Sequence, residues 1–114
     1  MSQRDRLSTL RPLLRHFDEV CVPAGTLLAR EGRLCHEFFV VVAGEVEVCR
    51  EGRAWRLSPG DAFGWKAMHD RGRHDATVIT KSAARLLVMG HAQFRAAEGL
   101  NGSIVRSATY PQAG

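Results

Sequence analysis

Hydrophobic and polar positions change period along the chain, and each change predicts a new element. Leu7, Leu10, Leu13, Leu14 and Phe17 fall at helical spacing. Ser8 or Thr9 is available as a cap, and Pro12 is tolerated only in a first turn. One or two short helical turns are therefore predicted, forming a lid that packs on something else. From Val20 the signal is strand-like. Val20-Cys21-Val22 leads into the turn Pro23-Ala24-Gly25, and Thr26 to Arg30 runs up to the turn Glu31-Gly32. Phe38 to Val42 is an unbroken apolar run stopped at Gly44, as expected of a strand buried on both faces. Glu45 to Arg50 alternates polar and apolar with period two, giving one wet and one dry face. Glu51-Gly52 then closes a hairpin onto Arg53 to Leu57.

Further on, Ala76 to Thr80 and Ala84 to Met89 carry strand signals, the second ending at Gly90. Residues 91 to 97 have helical propensity up to Gly99, with Ala92, Phe94 and Ala96 expected near one another. Residues 98 to 114 form a short tail, frayed or partner-dependent. Strand signals recurring about every ten residues, with glycine at the corners and helices only at the ends, predict a mainly β fold: a closed or sandwich-like β-roll. A helix-poor middle argues against a doubly wound α/β fold. One domain over residues 1 to 114 is expected, its core at about 10 to 97 and held by Phe38, Val40, Val46, Val48 and Leu87.

Composition narrows the class. With 45% hydrophobic and 25% charged residues the chain is neither disordered nor membranous in character. No apolar run approaches the ~20 residues that span a bilayer, and Met1 to Arg6 has no apolar signal core behind it. A cytoplasmic location without membrane association is the expectation. The net charge of +4 is arginine-heavy, since only Lys66 and Lys81 are lysines among 16 basic residues. The arginines are scattered, so weak, salt-sensitive attraction to a polyanion is expected, and no sequence-specific nucleic-acid binding. Cys21, Cys35 and Cys49 are odd in number, with no Cys-x-x-Cys pair, and are expected as small core residues on strands. His16, His36 and His91 are expected at the surface or in caps, and no serine, cysteine or lysine sits in an activating motif.

The stretch from Leu57 to Val78 stands apart. Pro59-Gly60-Asp61 predicts a tight turn, Ala62-Phe63 a brief strand, and Gly64 a close approach of backbone. Trp65 to Asp75 then mixes Ala67 and Met68 with Lys66, His69, Asp70, Arg71, Arg73, His74 and Asp75. A charge-dense excursion between two strands is where a β scaffold usually carries its site. Its bland alternative is a solvated connection.

The glycines Gly25, Gly32, Gly44, Gly60 and Gly64, in register with Glu45-Val46-Glu47-Val48, Pro59-Gly60-Asp61-Ala62-Phe63-Gly64 and Ala76-Thr77-Val78, resemble the cyclic nucleotide-binding domain family over about residues 10 to 97. The resemblance implies that family's β-roll, or double-stranded β-helix, with short flanking helices. It also implies that the segment after Phe63-Gly64 is a phosphate-binding cassette of Phe63, Gly64, Trp65, Lys66, Ala67, Met68, Arg73, His74, Asp75, Ala76 and Thr77. In the family pattern a glutamate after Phe-Gly holds the ribose, and an arginine two residues before Ala-Thr-Val pairs with the cyclic phosphate. Here those positions are Trp65 and His74, with Arg73 one place early and Asp75 where a small hydroxyl residue would sit.

A guanidinium gives bidentate bonds to phosphate, whereas neutral histidine gives one donor and Asp75 adds a like charge. Each lost charge-assisted bond removes about 1.5–3 kcal/mol, so losing both anchors moves a micromolar site toward millimolar. Trp65 has two readings: stacking on a base or filling the ribose space, and, preferred, plugging an unused pocket. The family's regulators continue into a dimerisation helix and a helix-turn-helix, for which the residues after Phe94 are too few.

The expected function is thus a stand-alone, non-enzymatic regulatory or ligand-sensing module. It would have weak or no cyclic nucleotide affinity, no cofactor, and action through an unidentified protein partner, with a homodimer as one arrangement. Two alternatives stand beside it. One is a cyclic AMP-binding regulator with a non-standard phosphate site. The other is a metal-dependent cupin-type enzyme using His69-Asp70 and His74-Asp75, which lacks the His-x-His pair of cupins.

Overall fold

A computed structural model describes residues 11–97. A 3-10 helix, Arg11–His16, leads into eight strands. They are β1 (Asp18–Val22), β2 (Leu27–Ala29), β3 (Glu37–Ala43), β4 (Val46–Arg50), β5 (Arg53–Leu57), β6 (Ala62–Phe63), β7 (Thr77–Thr80) and β8 (Ala84–Gly90). One short helix, α1 (Trp65–Asp70), stands between β6 and β7, and residues 91–97 are helical. The strands form two antiparallel four-stranded sheets, ordered β1-β8-β3-β6 and β2-β7-β4-β5. This is the predicted β-roll.

Apolar alternation explains how the sheets close. In β3, Phe38 and Val40 enter one core cluster while Phe39 and Val41 enter the other, so an unbroken apolar run has two dry faces. Its partner β8 divides in the same way, Leu87 and Met89 going to the first cluster and Leu86 and Val88 to the second. In β4 only Val46 and Val48 turn inward, and Glu47 stays on the wet face beside Arg56 and Lys81. Each such buried side chain contributes about 1.5–3 kcal/mol of transfer free energy.

Several local expectations are corrected. Leu14 is exposed, and the lid contributes Phe17, whose ring lies 6.1 Å from that of Phe38. Leu7, Leu10 and the tail after residue 97 lie outside the described residues. In the last helical segment Phe94 and Ala97 face the core while Ala92 and Ala96 are exposed, because residues two apart lie on opposite sides of a helix. Of the cysteines only Cys35 is buried, and it sits in the loop before β3; Cys21 is exposed on β1 and Cys49 half-buried on β4.

Candidate functional site

The turn before the site is tied to the core strand. Gly60 N–H donates to Val41 O at 2.8 Å and Val41 N–H to Asp61 O at 2.9 Å, while buried Asp61 accepts from Ser58 N–H at 2.8 Å. Phe63 is thereby fixed against Phe39, their rings stacked at 4.7 Å. Gly64 follows with φ of 94°, and a Cβ there would lie 3.0 Å from Glu37 O. Only glycine fits both demands without strain. That turn starts α1, whose Met68 N–H donates to Gly64 O at 2.9 Å and whose Met68 side chain enters the core. The helix stops at Arg71 in the left-handed region, and Gly72 N–H closes it on Ala67 O at 2.8 Å.

The return limb is not a solvated loop. Residues 72–74 lie along residues 32–35 as a two-stranded ladder. Cys35 N–H donates to Gly72 O (3.0 Å), Gly32 N–H to His74 O (2.9 Å) and His74 N–H to Arg33 O (2.9 Å). Arg73 Nη1 adds a bond to Gly32 O at 2.8 Å. This ladder was illegible in the sequence, since Gly-Arg-Leu-Cys and Gly-Arg-His carry no period-two pattern.

Helix, ladder and β7 enclose a cavity of about 290 Å³. Phe63, Gly64, Trp65, Lys66, Ala67, Arg73, His74, Asp75 and Ala76 all line it, joined by Asp70, Gly72 and Val78. Two expected members are elsewhere: Met68 is a core residue, and the Thr77 hydroxyl accepts from Glu31 N–H at 3.2 Å. Trp65 does not close the cavity. Its indole stacks on His69 (4.9 Å, 8° between planes), meets Phe94 edge-on at 6.3 Å, and packs against the core as a wall.

Charge in the cavity differs from the expectation in one respect. Asp75 is not a lone carboxylate, because Arg50 Nη1 donates to its Oδ2 at 3.0 Å, and the same guanidinium lies 5.8 Å from the Trp55 ring centroid. Nothing in the sequence spacing linked Arg50 on β4 to Asp75. His74 is half-buried, and loss of solvation lowers its pKa below the ordinary 6.5, with His36 adding to the shift and Asp75 opposing it. Burial pushes the Cys35 thiol up to about 11; it donates to Glu37 O at 3.3 Å beneath Gly64. His69-Asp70 and His74-Asp75 do not converge: no group of three His, Cys, Asp or Glu side chains among the described residues is placed to hold a metal ion. No described helix is long and apolar enough to cross a membrane.

A mainly β roll carrying a short helix after Phe63-Gly64 and a polar cavity beneath it is the arrangement of cyclic nucleotide-binding domains. The family model described as "Cyclic nucleotide-binding domain" matches residues 19–97, and the chain belongs to that family. It is 30% identical over 112 residues to a cAMP-dependent protein kinase regulatory subunit of Aspergillus fumigatus, an alignment covering 91% of this chain and 27% of that protein. The fold superposes on the Thermus thermophilus catabolite activator protein with a TM-score of 0.75 at 21% identity, over 87% of this chain and 49% of the other. The N-terminal domain of a transcriptional regulator from Streptomyces coelicolor A3(2) matches at 0.68 and 23% identity, over 93% and 84%. The chain thus spans about a quarter of the regulatory subunit and half of the activator protein.

Proposed function

We propose that this domain is a non-enzymatic regulatory module that admits a cyclic nucleotide only weakly and acts through a protein partner. The observation that carries the reading is the anion corner of the cavity. There a half-buried histidine with a lowered pKa stands beside a carboxylate already paired to Arg50, and Arg73 directs Nη1 to Gly32 O. A neutral imidazole supplies one hydrogen bond where the family pattern has a guanidinium. Trp65 forms an apolar wall where the pattern has a ribose-holding glutamate. The volume supports a small ligand, being at the lower end of ligand pockets.

A second reading has one observation in its favour. Lys66 and Arg73 both line the cavity, two cations that could meet a phosphate from a non-standard direction. Titration calorimetry with cyclic AMP and cyclic GMP separates the two. The first reading expects dissociation constants of about 1 mM or weaker, since two charge-assisted anchors are absent. Micromolar binding, lost on Arg73→Gln, overturns it in favour of the second.

A further inference from the structure

The ladder that closes the ligand cavity has a second side, and that side is apolar, basic and open. His74 lines the cavity and also a groove of about 200 Å³ with Leu27, Arg30, Arg33, Leu34 and His36. Leu34 and His36 continue into a neighbouring groove of about 280 Å³ with Arg71, His91 and Arg95. Two of the three exposed large hydrophobic residues in the described chain are here, Leu27 at 50% and Leu34 at 51% exposure. Of the groove-lining residues only Glu37 is acidic.

The charges are also unanswered. Among the described residues, none of Arg30, Arg33, Arg71 and Arg95 is ion-paired, whereas Arg50, Arg56, Lys81 and Arg85 each have a carboxylate within 4 Å. By composition, residues 1–10 and 98–114 carry no net negative charge. Residues 1–10 contain two arginines and one aspartate, and residues 98–114 one glutamate and one arginine.

We infer that this double groove docks an acidic segment of a partner protein, carrying leucine-like side chains that cover Leu27 and Leu34 between flanking glutamates or aspartates. The inference rests on the reading of the domain as a module that acts through a partner. Protein is favoured over nucleic acid because the exposed apolar centre, Leu27 and Leu34, is aliphatic, and the described rings around it are buried Phe39 and the three histidines His36, His74 and His91, with no exposed Phe, Tyr or Trp on which a base could stack. Apolar anchors ringed by basic groups suit a peptide whose charge steers and whose leucines hold. Because His74 and its ladder form the wall between groove and cavity, occupation of either side bears on the other, and any coupling must be reciprocal.

The test titrates isotopically labelled full chain with a short synthetic peptide bearing two leucines flanked by glutamates, followed by backbone amide shifts. Shifts confined to residues 27–37, 71–74 and 91–95 are expected. Leu34→Ser and Leu27→Ser should each weaken the peptide about tenfold. Arg33→Gln with Arg71→Gln should weaken it several-fold and flatten its salt dependence. Arg53→Gln, on β5, should change nothing. All these side chains are exposed, so the variants remain folded, and a thermal melt of each verifies it. Shifts elsewhere, equal binding by a glutamate-only peptide, or displacement by a single-stranded oligonucleotide would overturn the inference. Failure of cyclic nucleotides to bind the cavity leaves these outcomes readable, because the peptide titration does not require them.

Discussion

Asp75→Ser is the most informative single change at the cavity. In the sequence alone Asp75 is a like charge beside an anion; in the structure it is also the residue that occupies Arg50. Two unit charges 5 Å apart interact by about 3 kcal/mol at an effective dielectric of 20 and about 1 kcal/mol in water. The Asp75 side chain is 62% exposed and Arg50 offsets part of its charge, so the lower half applies. Removing the carboxylate should therefore strengthen cyclic nucleotide binding by about 1–2 kcal/mol, or about 5- to 30-fold. Part of that gain is expected from Arg50, which loses its Asp75 partner and turns toward the phosphate. Adding Arg50→Ala to Asp75→Ser should then remove that part and leave the part that comes from the lost carboxylate charge. Arg50→Ala alone should weaken binding below the parent level, because Asp75 is left uncompensated. The pair itself costs little to lose, about 1 kcal/mol or less for a partly exposed bridge, so folding is retained in all three variants. Calorimetry on the four proteins closes the cycle. If the double variant keeps the whole gain, Arg50 does not reach the ligand; if Asp75→Ser gives none, the anion does not sit beside residue 75.

Three further outcomes follow from local geometry. His74 has a lowered folded-state pKa, so the unfolded chain takes up its proton first on acidification. Its contribution to stability is complete above pH 6.5 and declines as pH falls from there toward the folded value, while residual anion binding strengthens over that same range below 6.5; His74→Asn should flatten both profiles. Gly44→Ala places a Cβ 2.5 Å from Ala83 O at a φ of 97°, and should destabilise by about 2–5 kcal/mol from left-handed strain and overpacking, read as a lower denaturant midpoint at unchanged slope. Cys35, held protonated to about 11 against an ordinary 9.0, should make the fold lose stability as pH rises from 9 toward 11. At neutral pH a thiol reagent should modify Cys21 and spare Cys35, and rapid modification of Cys35 in the folded chain would refute its burial.

The scaffold was legible because burial writes itself into strands. Phe38 to Val41 has to be dry on both faces, and Val46 and Val48 on one, whatever surrounds them. The Phe63-Gly64 turn was legible for a similar reason, since its backbone has few alternatives. What stayed hidden depends on distant partners. Arg50 and Asp75 are 25 residues apart and meet only because β4 pairs with β7 through Cys49 and Thr77. The ladder between residues 32–35 and 72–74 has no side-chain period, because it is held by backbone bonds and by Arg73. The volume of Trp65 suggests a plug, but its orientation is decided by Phe94 and His69, which periodicity cannot rank.

That orientation changes what the tryptophan means. A side chain that filled the ribose space could be removed to reopen a site, but Trp65 lies against the core cluster containing Phe38, Met68 and Phe94. Replacing it with a carboxylate would therefore both restore a polar group and strip an apolar wall, and Trp truncations in cores cost about 3–5 kcal/mol. Partial exposure lowers that figure here, yet a share of it falls on the position of α1, because Trp65 is that helix's first residue. Affinity and helix placement are thus linked at this residue. A ligand that needs the helix close over the cavity benefits from the indole even as it misses the glutamate, so loss of the ribose anchor and retention of an ordered cassette are two effects of one substitution.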